Sequence, residues 1–228
     1  LYKVAYSKAF GIPVDSVEKW QRQIGKVLEL FMQYQGGVGA FITGAATYGI
    51  DLDEMAAGLR GKLPGGLVLE AHDFLEWLND QGKGSYGLKP ETFVACDVLK
   101  RMWRLQHPAI SSYWNEVRDA IQAAMSRPGA VIECRKLKFR LQGSWLRVVM
   151  PGGRSLCYPS PQLDDSGFSY MGVSQYSRKW GRIRTYGGRV FQNACQGLAR
   201  HIMYDAKPAV EDAGYLQVLE VHDELVTE

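Results

Sequence analysis

The chain has 228 residues, of which 46% are hydrophobic and 22% charged, with a formal net charge of +3. This apolar content is ample for a folded core, and the lack of any run of about 18 apolar residues excludes a membrane-spanning helix. The four cysteines are scattered without a CxxC pair. Their spacing favours reduced, buried or partly buried thiols in a cytosolic setting over a disulfide framework or a zinc site.

The first half of the chain is predicted to be helical. Asp15 or Ser16 fits the N-cap of the second helix, and Gly36 with Gly37 marks its end. Pro108 interrupts the last helical stretch. The predicted helical segments are residues 2–10, 15–34, part of 37–50, 52–61, 67–80 and 90–127.

The second predicted helix carries a distinctive face. Arg22, Lys26, Leu30 and Tyr34 follow one another at intervals of four residues, so on a helix they share one broad face. Two cations at this spacing can hold a chain of phosphates, and the next two side chains can lie against a sugar and a base. The alternative is an ordinary amphipathic helix with a solvated basic edge.

The second half is predicted to be mixed. Residues 131–158 alternate and turn as strands do, residues 159–167 read as a loop, and residues 188–214 read as a long helix that Pro208 kinks or shortens. The order of these elements predicts an α+β fold, with a helical region over 1–127 and a mixed region over 128–228 that contains antiparallel strands, the long helix and a terminal hairpin.

Positive charge is concentrated in the mixed region. Between Arg135 and Arg189 there are eleven Lys and Arg residues but only two acids, Asp164 and Asp165. Aromatic residues, including Tyr176, are interspersed among these cations. A basic strip of this kind suits a phosphate backbone and carries little sequence preference. The alternative is a solvated basic surface.

The last predicted hairpin carries His222, Asp223 and Glu224 at its tip, after the apolar stretch Tyr215–Leu219. Two adjacent carboxylates on a hairpin suit a hard cation such as Mg²⁺, which prefers oxygen ligands. The alternative is a surface turn that happens to contain two acids.

Four segments in register resemble family A DNA polymerases, most closely the bacteriophage members. Residues 22–36 resemble motif B of the fingers, Arg-x3-Lys-x7-Tyr-Gly, with Gln35 inserted before the glycine, and 222–224 resemble motif C of the palm, His-Asp-Glu. Residues 145–156 resemble the palm hairpin Leu-Pro-Ser-Gly-Arg-x-Leu. Residues 185–200 resemble the run that opens a long palm helix, with Arg189 in place of Lys and Gln192 in place of Glu, and His201 follows in place of Asp.

The family's motif A, which carries another catalytic aspartate, has no counterpart before Arg22. The resemblance therefore implies an internal piece of a longer polymerase, with the fingers over 1–127 and part of the palm over 128–228, truncated before motif A and just after motif C.

The resemblance implies nucleotidyl transfer assisted by two Mg²⁺ ions about 4 Å apart, in which a primer 3′-hydroxyl attacks the α-phosphate of a dNTP. It makes Asp223 a metal ligand and Glu224 a supporting catalytic acid. The resemblance also gives roles to the predicted fingers helix. Arg22 and Lys26 would bind the triphosphate, and Lys26 would donate a proton to the pyrophosphate. Leu30 would contact the sugar, and Tyr34 would pack near the templating base.

The resemblance also implies contacts with primer–template DNA. His222 would contact the primer terminus, Gln192 and Gln196 the minor groove, and Arg184 and Arg189 the basic DNA-binding strip. The expected setting is the cytoplasm of an infected bacterial host, with possible phage replisome proteins as further partners.

Three alternatives differ from this reading. A single-subunit RNA polymerase typically has His-Asp-Ser where this chain has His222, Asp223 and Glu224. A non-catalytic DNA-binding protein would account for the lack of motif A but not for the other motifs. A split polymerase would receive its motif A half from a separate chain.

Overall fold

The computed structural model describes residues 1–164, 167–175 and 177–228. It divides into two compact units, Leu1–Tyr113 and Trp114–Glu228. The division falls inside a helix, between residues 113 and 114, whereas the sequence predicts a boundary between 127 and 128. The assignment of these regions to fingers and palm stays a prediction. In the described ranges, no helix combines the length and the hydropathy needed to cross a bilayer.

The first unit is built around one central helix. Thr92 to Lys100 are buried without interruption, because neighbouring helices pack against that helix on several sides. The elements are α1 (Tyr2–Phe10), a 3₁₀ turn (Val14–Ser16), α2 (Lys19–Met32), α3 (Val38–Thr47), α4 (Leu52–Leu59), α5 (Gly65–Asp80), the central α6 (Pro90–Gln106) and the start of α7 (Pro108–Ser126). A helix thus lies in each predicted helical segment, although the bounds of several differ, and the break at Pro108 is confirmed.

The predicted N-cap of α2 is wrong. Asp15 and Ser16 belong to the 3₁₀ turn, and the extended backbone of Val17 separates that turn from the helix. Glu18 is the N-cap, and its backbone N–H donates to Oε1 of Gln21 at 2.8 Å in a capping box. The buried side chain of Val17 accounts for the later start, because it directs the chain inward before the helix begins.

Among the described residues, the second unit contains three antiparallel sheets, the last of which is the terminal hairpin. The first, with spatial order β1-β2-β3-β4, has the alternating burial expected of strands with one face on a core. The second has order β5-β6-β7. Their strands are β1 (Ile132–Cys134), β2 (Leu137–Gln142), β3 (Trp145–Val149), β4 (Ser155–Pro159), β5 (Gln162–Asp164), β6 (Gly167–Val173) and β7 (Trp180–Thr185).

The strands predicted over 131–158 are confirmed, but the loop expected over 159–167 is only partly right. That segment contains β5, which pairs with β6 in an antiparallel register that places Gln162 opposite Ser169. Asp165 and Ser166, within that expected loop, lie outside the described residues. The pairing of β6 with β7 was not predicted, because the apolar and polar residues of β6 do not alternate strictly along the sequence.

The long helix α8 (Gly187–Asp212) continues through Pro208, so the proline does not shorten it. Asn193 donates a hydrogen bond to the Tyr158 hydroxyl at 3.0 Å, which ties α8 to the first sheet. Beyond α8, β8 (Gln217–Val221) and β9 (Glu224–Thr227) form the predicted terminal hairpin. The α+β prediction is confirmed.

Candidate functional site

The helix α2 separates its buried and accessible residues as the sequence predicts. Ile24, Val27 and Leu28 are buried against the unit core, whereas Arg22 and Leu30 are exposed and Lys26 is half-buried. The heptad-like spacing of the buried residues is what makes the helix amphipathic. The structure therefore places Arg22, Lys26 and Leu30 along the accessible side of one helix.

Tyr34 lies outside that helix, contrary to the expectation of a helix over 15–34. The helix ends at Met32, and Tyr34 lies in the following turn, in which Gln35 has a left-handed φ of 65°. Gly36 closes the turn, and a Cβ there would lie only 1.9 Å from the Phe31 carbonyl oxygen. The left-handed backbone of Gln35 takes the chain out of the helical path, so Tyr34 is positioned by the turn and not by helical periodicity.

Helix α6 holds the turn that carries Tyr34. The guanidinium of Arg104 donates to the Gly36 carbonyl at 3.1 Å, and the indole N–H of Trp103 donates to Glu29 at 3.4 Å. Both contacts join the C-terminal part of α6 to the end of α2. Sequence reasoning missed Arg104, because a contact between residues so far apart in the chain has no local signal.

A buried charge cluster lies one turn earlier on α6. Asp97 is fully buried and pairs with Lys100 and with Arg101, whose Nε lies 2.5 Å from Asp97 Oδ2. Burial lowers the pKa of Lys100, against the opposing effect of its hydrogen bond to Asp97. Removal of one partner would leave an uncompensated buried charge. Arg101 also pairs with Glu70 at 2.6 Å, so the cluster joins α6 to α5.

Two tyrosines that the sequence did not single out flank the cations of α2. The ring centroid of Tyr48, at the end of α3, lies 4.0 Å from the Lys26 ammonium nitrogen. The Tyr2 ring lies 5.8 Å from that nitrogen and 5.7 Å from the Arg22 guanidinium carbon. Distances below about 6 Å are within the range of cation–π attraction.

A cleft of about 570 Å³ opens beside these residues in the first unit. Tyr48 lines it, but the residues that α2 contributes are Lys19, Trp20 and Gln23. The lining includes none of Arg22, Lys26 and Leu30, so the cleft opens beside their face of α2 and not on it.

In the second unit, the terminal hairpin presents its acids openly. Val221 pairs with Glu224, and His222 and Asp223 form the two-residue connection. His222 has a left-handed φ of 56°, as tight hairpins require at such a position. All three residues of the His-Asp-Glu run are exposed. The hairpin thus places His222, Asp223 and Glu224 at one tip.

The hairpin acids fit part of a magnesium site. Mg²⁺ keeps several waters and binds through one or two carboxylates, so Asp223 and Glu224 are suitable ligands. Within the described ranges, however, no group of three or more His, Cys, Asp or Glu residues is arranged to hold a metal ion. The two carboxylates would therefore leave the remaining ligands of the ion to water or to substrate phosphate.

Four of the residues predicted to contact DNA lie around the start of α8, whereas His222 lies in the terminal hairpin. Arg189 donates to Oε1 of Gln192 at 3.2 Å, and Gln196 is exposed one turn further along. Arg184, on the preceding strand β7, is exposed and lies 3.5 Å from Asp164. Since residues three or four apart are neighbours on a helix, Arg189, Gln192 and Gln196 form one polar stripe.

Further cations lie on the outward face of the first sheet. Lys138, Arg140 and Arg147 are exposed, and Arg140 lies directly opposite Arg147 in the pairing of β2 with β3. Lys138 is balanced by Glu133 at 3.1 Å. Like charges opposite one another are unfavourable until a counter-charge binds, so this face suits an anion. Tyr176, expected within the basic strip, lies outside the described residues.

The four cysteines are free thiols. Burial raises the pKa of Cys96 to about 12 and that of Cys134 to about 11, which keeps both thiols protonated near neutral pH. Cys195 is half-buried, whereas Cys157 is exposed, contrary to the expectation that the thiols are at least partly buried. Cys157 lies opposite Arg147 on the outward face of the first sheet, and this strand position accounts for its exposure.

Among curated proteins, the chain is similar to the DNA polymerase of Bacillus phage SP02, with 31% identity over 235 aligned residues. The alignment covers 99% of this chain and 30% of the phage protein, so the chain spans less than a third of that relative's length. No protein-family model matches the sequence, and no solved structure matches it. The similarity is therefore to one portion of a phage DNA polymerase.

Proposed function

We propose that this chain forms the fingers and part of the palm of a bacteriophage-type family A DNA polymerase. The observation that carries this proposal is the 31% identity to a phage DNA polymerase along 99% of the chain. The reaction would be template-directed addition of dNTPs to a primer 3′-hydroxyl during viral DNA replication. The expected setting is the cytoplasm of the infected host, with replisome proteins as further partners.

The helical unit would bind the incoming nucleotide. Arg22 and Lys26 lie one turn apart on the accessible side of α2, a spacing suited to adjacent phosphates of a triphosphate. Lys26 would donate a proton to the departing pyrophosphate. Leu30, one turn further and exposed, would contact the sugar. Tyr34 would pack near the templating base from its turn, which Arg104 holds through Gly36.

The terminal hairpin would contribute to the catalytic centre. Asp223 would be a magnesium ligand and Glu224 a supporting acid, and the exposed position of both leaves their oxygens accessible. When bound, Mg²⁺ supplies positive charge that favours ionisation of the primer hydroxyl and stabilises the leaving oxygens. His222, in the same turn, would contact the primer terminus.

The rest of the second unit would bind the primer–template. Phosphate contacts from Arg184 and Arg189 would position the duplex without reading its sequence. Gln192 and Gln196, along the same stripe of α8, have amide groups that can both donate and accept in the minor groove. This division into backbone and groove contacts predicts binding that weakens steeply with salt but depends little on sequence.

The decisive experiment is primer extension by the full-length gene product and its Asp223→Ala variant. We expect the variant to lose extension while its affinity for primer–template stays nearly unchanged, because the carboxylate serves the metal and not the DNA. The matched control is Asp205→Ala, which removes an exposed acid from α8. Appreciable extension by Asp223→Ala would refute the metal-ligand assignment.

The role of Leu30 has its own test. We expect Leu30→Tyr to ease the incorporation of dideoxynucleotides, because this side chain is proposed to face the sugar. The measurement is the ratio of terminator to dNTP incorporation at the same template position. An equal ratio in the wild type and the variant would remove this role from Leu30.

A second candidate function is a DNA-binding module without complete catalysis, either non-catalytic or one half of a split polymerase. The observation that favours it is the set of exposed cations in the second unit, including Arg184 and Arg189, which would bind DNA without any metal at the hairpin. Under this alternative, the purified full-length gene product would bind primer–template in a salt-dependent manner but would not extend it. Extension by the purified protein alone would exclude both forms of this alternative.

A further inference from the structure

We propose that Tyr48 is a positioning residue that holds the ammonium group of Lys26 in place for the phosphates of the incoming nucleotide. The proposal rests on the proposed function, because it assigns Tyr48 a role through Lys26. The supporting contact is direct: the Lys26 nitrogen lies 4.0 Å from the centroid of the Tyr48 ring.

A small residue in α3 brings Tyr48 to this position. A Cβ on Gly44 would lie 2.8 Å from a ring carbon of Phe31 and 2.9 Å from a methyl group of Val27, both on α2. The missing side chain therefore allows α3 to approach α2 closely. Since Tyr48 follows Gly44 by one helical turn, this approach sets its ring beside Lys26.

The Tyr48 ring is itself held from two directions. The backbone N–H of Tyr48 donates to the Gly44 carbonyl at 3.1 Å, so the residue is part of the end of α3. Its ring meets Phe31 edge-on, with centroids 6.3 Å apart and an interplanar angle of 83°. An aromatic pair in this geometry favours one orientation of the ring. The ammonium group thus lies against a surface that is already ordered.

The chemistry of this contact suits a residue that must bind an anion. Lys26 has no carboxylate partner within 4.0 Å among the described residues, whereas Lys89, Lys100 and Lys207 each pair with an acid. A carboxylate would offset the charge of Lys26 and compete with phosphate for it. An aromatic face orders the flexible four-carbon stem without neutralising the ammonium, so the full charge stays available.

The test measures the equilibrium dissociation constant of a dNTP from the complex of the full-length gene product with a dideoxy-terminated primer–template. Tyr48→Leu removes the aromatic face, and we expect it to weaken dNTP binding about three- to ten-fold, as loss of a partly desolvated cation–π contact would. Tyr48→Phe keeps the face, and we expect binding within about two-fold of the wild type. Primer–template affinity should not change in either variant.

A double-mutant cycle separates this role from general packing. In the Lys26→Ala background, Tyr48→Leu should produce no further loss of dNTP binding, because the group that the ring positions is already absent. Losses that multiply in the double variant would overturn the proposal, as would wild-type binding by Tyr48→Leu. If Tyr48→Leu does not fold, Tyr48→Met provides a flexible apolar replacement with the same expected loss.

The same experiment distinguishes two kinds of failure. If Lys26→Ala binds dNTP like the wild type, the nucleotide-binding role proposed for α2 is wrong, and the positioning role fails with it. If Lys26→Ala binds weakly but Tyr48→Leu binds normally, the nucleotide site stands and only the role of Tyr48 is overturned.

Discussion

The close approach of α1 to α2 at Gly25 leads to a sharp prediction for Gly25→Ala. An added Cβ would lie 2.1 Å from the Tyr2 carbonyl oxygen, although ordinary contact begins at 3.4 Å. The two atoms would have to separate by about 1.3 Å, in a region packed as densely as other protein interiors. Because the obstacle is backbone, rotation of a side chain cannot relieve it.

The expected cost follows from two opposing effects. Overpacking of a core costs about 1–3 kcal/mol, and a clash with backbone belongs at the upper end of that range. Replacing glycine by alanine inside a helix stabilises the folded state by about 1 kcal/mol, because alanine has the higher helix propensity. We therefore expect Gly25→Ala to lower the free energy of unfolding by about 2 kcal/mol, which corresponds to a melting temperature about 8 °C lower for a unit of this size.

The assay is thermal and urea unfolding followed by circular dichroism, with Gly58→Ala as the matched control. Gly58 also lies in a helix of the first unit, but the nearest atom to its added Cβ is a Trp20 ring carbon at an ordinary 3.7 Å. The control should be as stable as the wild type or slightly more stable. A Gly25→Ala protein that melts at or above the wild-type temperature would refute the reasoning.

Three further predictions concern buried and exposed polar groups. Cys157 should react first with a thiol reagent at pH 8, whereas Cys96 should react only on unfolding; a fast phase that survives Cys157→Ser would contradict this. Between pH 7 and pH 10, the wild type should lose about 1.4 kcal/mol of unfolding free energy relative to Cys96→Ala. The reason is that burial raises the folded pKa of Cys96 from 9.0 to about 12, so only the unfolded thiol ionises in this window; parallel pH profiles would exclude the effect. Tyr158→Phe should lower the free energy of unfolding by about 1 kcal/mol, because Asn193 loses its acceptor, and an unchanged urea midpoint would count against that bond.

The sequence was a good guide where the signal is local. The helical periodicity of residues 19–32 and the turn at His222 and Asp223 depend on neighbours in the chain, and both appear in the structure. The errors also have local causes. The extended, buried Val17 delayed the start of α2, and the turn with a left-handed Gln35 places Tyr34 beyond its end.

The candidate site could be predicted only in part. The accessible side of α2 was predictable from the positions of Arg22, Lys26 and Leu30, because an amphipathic helix repeats with a regular period. The tether from Arg104 to Gly36 was not, because it joins residues 68 positions apart in the chain. A glycine within a helical pattern, such as Gly44, is the one local sign that another element comes close.

The sequence by itself thus determined the helical segments, the strands of the first sheet, the cationic side of α2 and the acidic tip of the last hairpin. Each of these depends on residues within a few positions of one another, where periodicity and turn chemistry act. Only the tertiary structure decided what surrounds the cations. The rings of Tyr2 and Tyr48 reach Lys26 because Gly25 and Gly44 let two neighbouring helices approach α2, and such an approach depends on packing between distant segments.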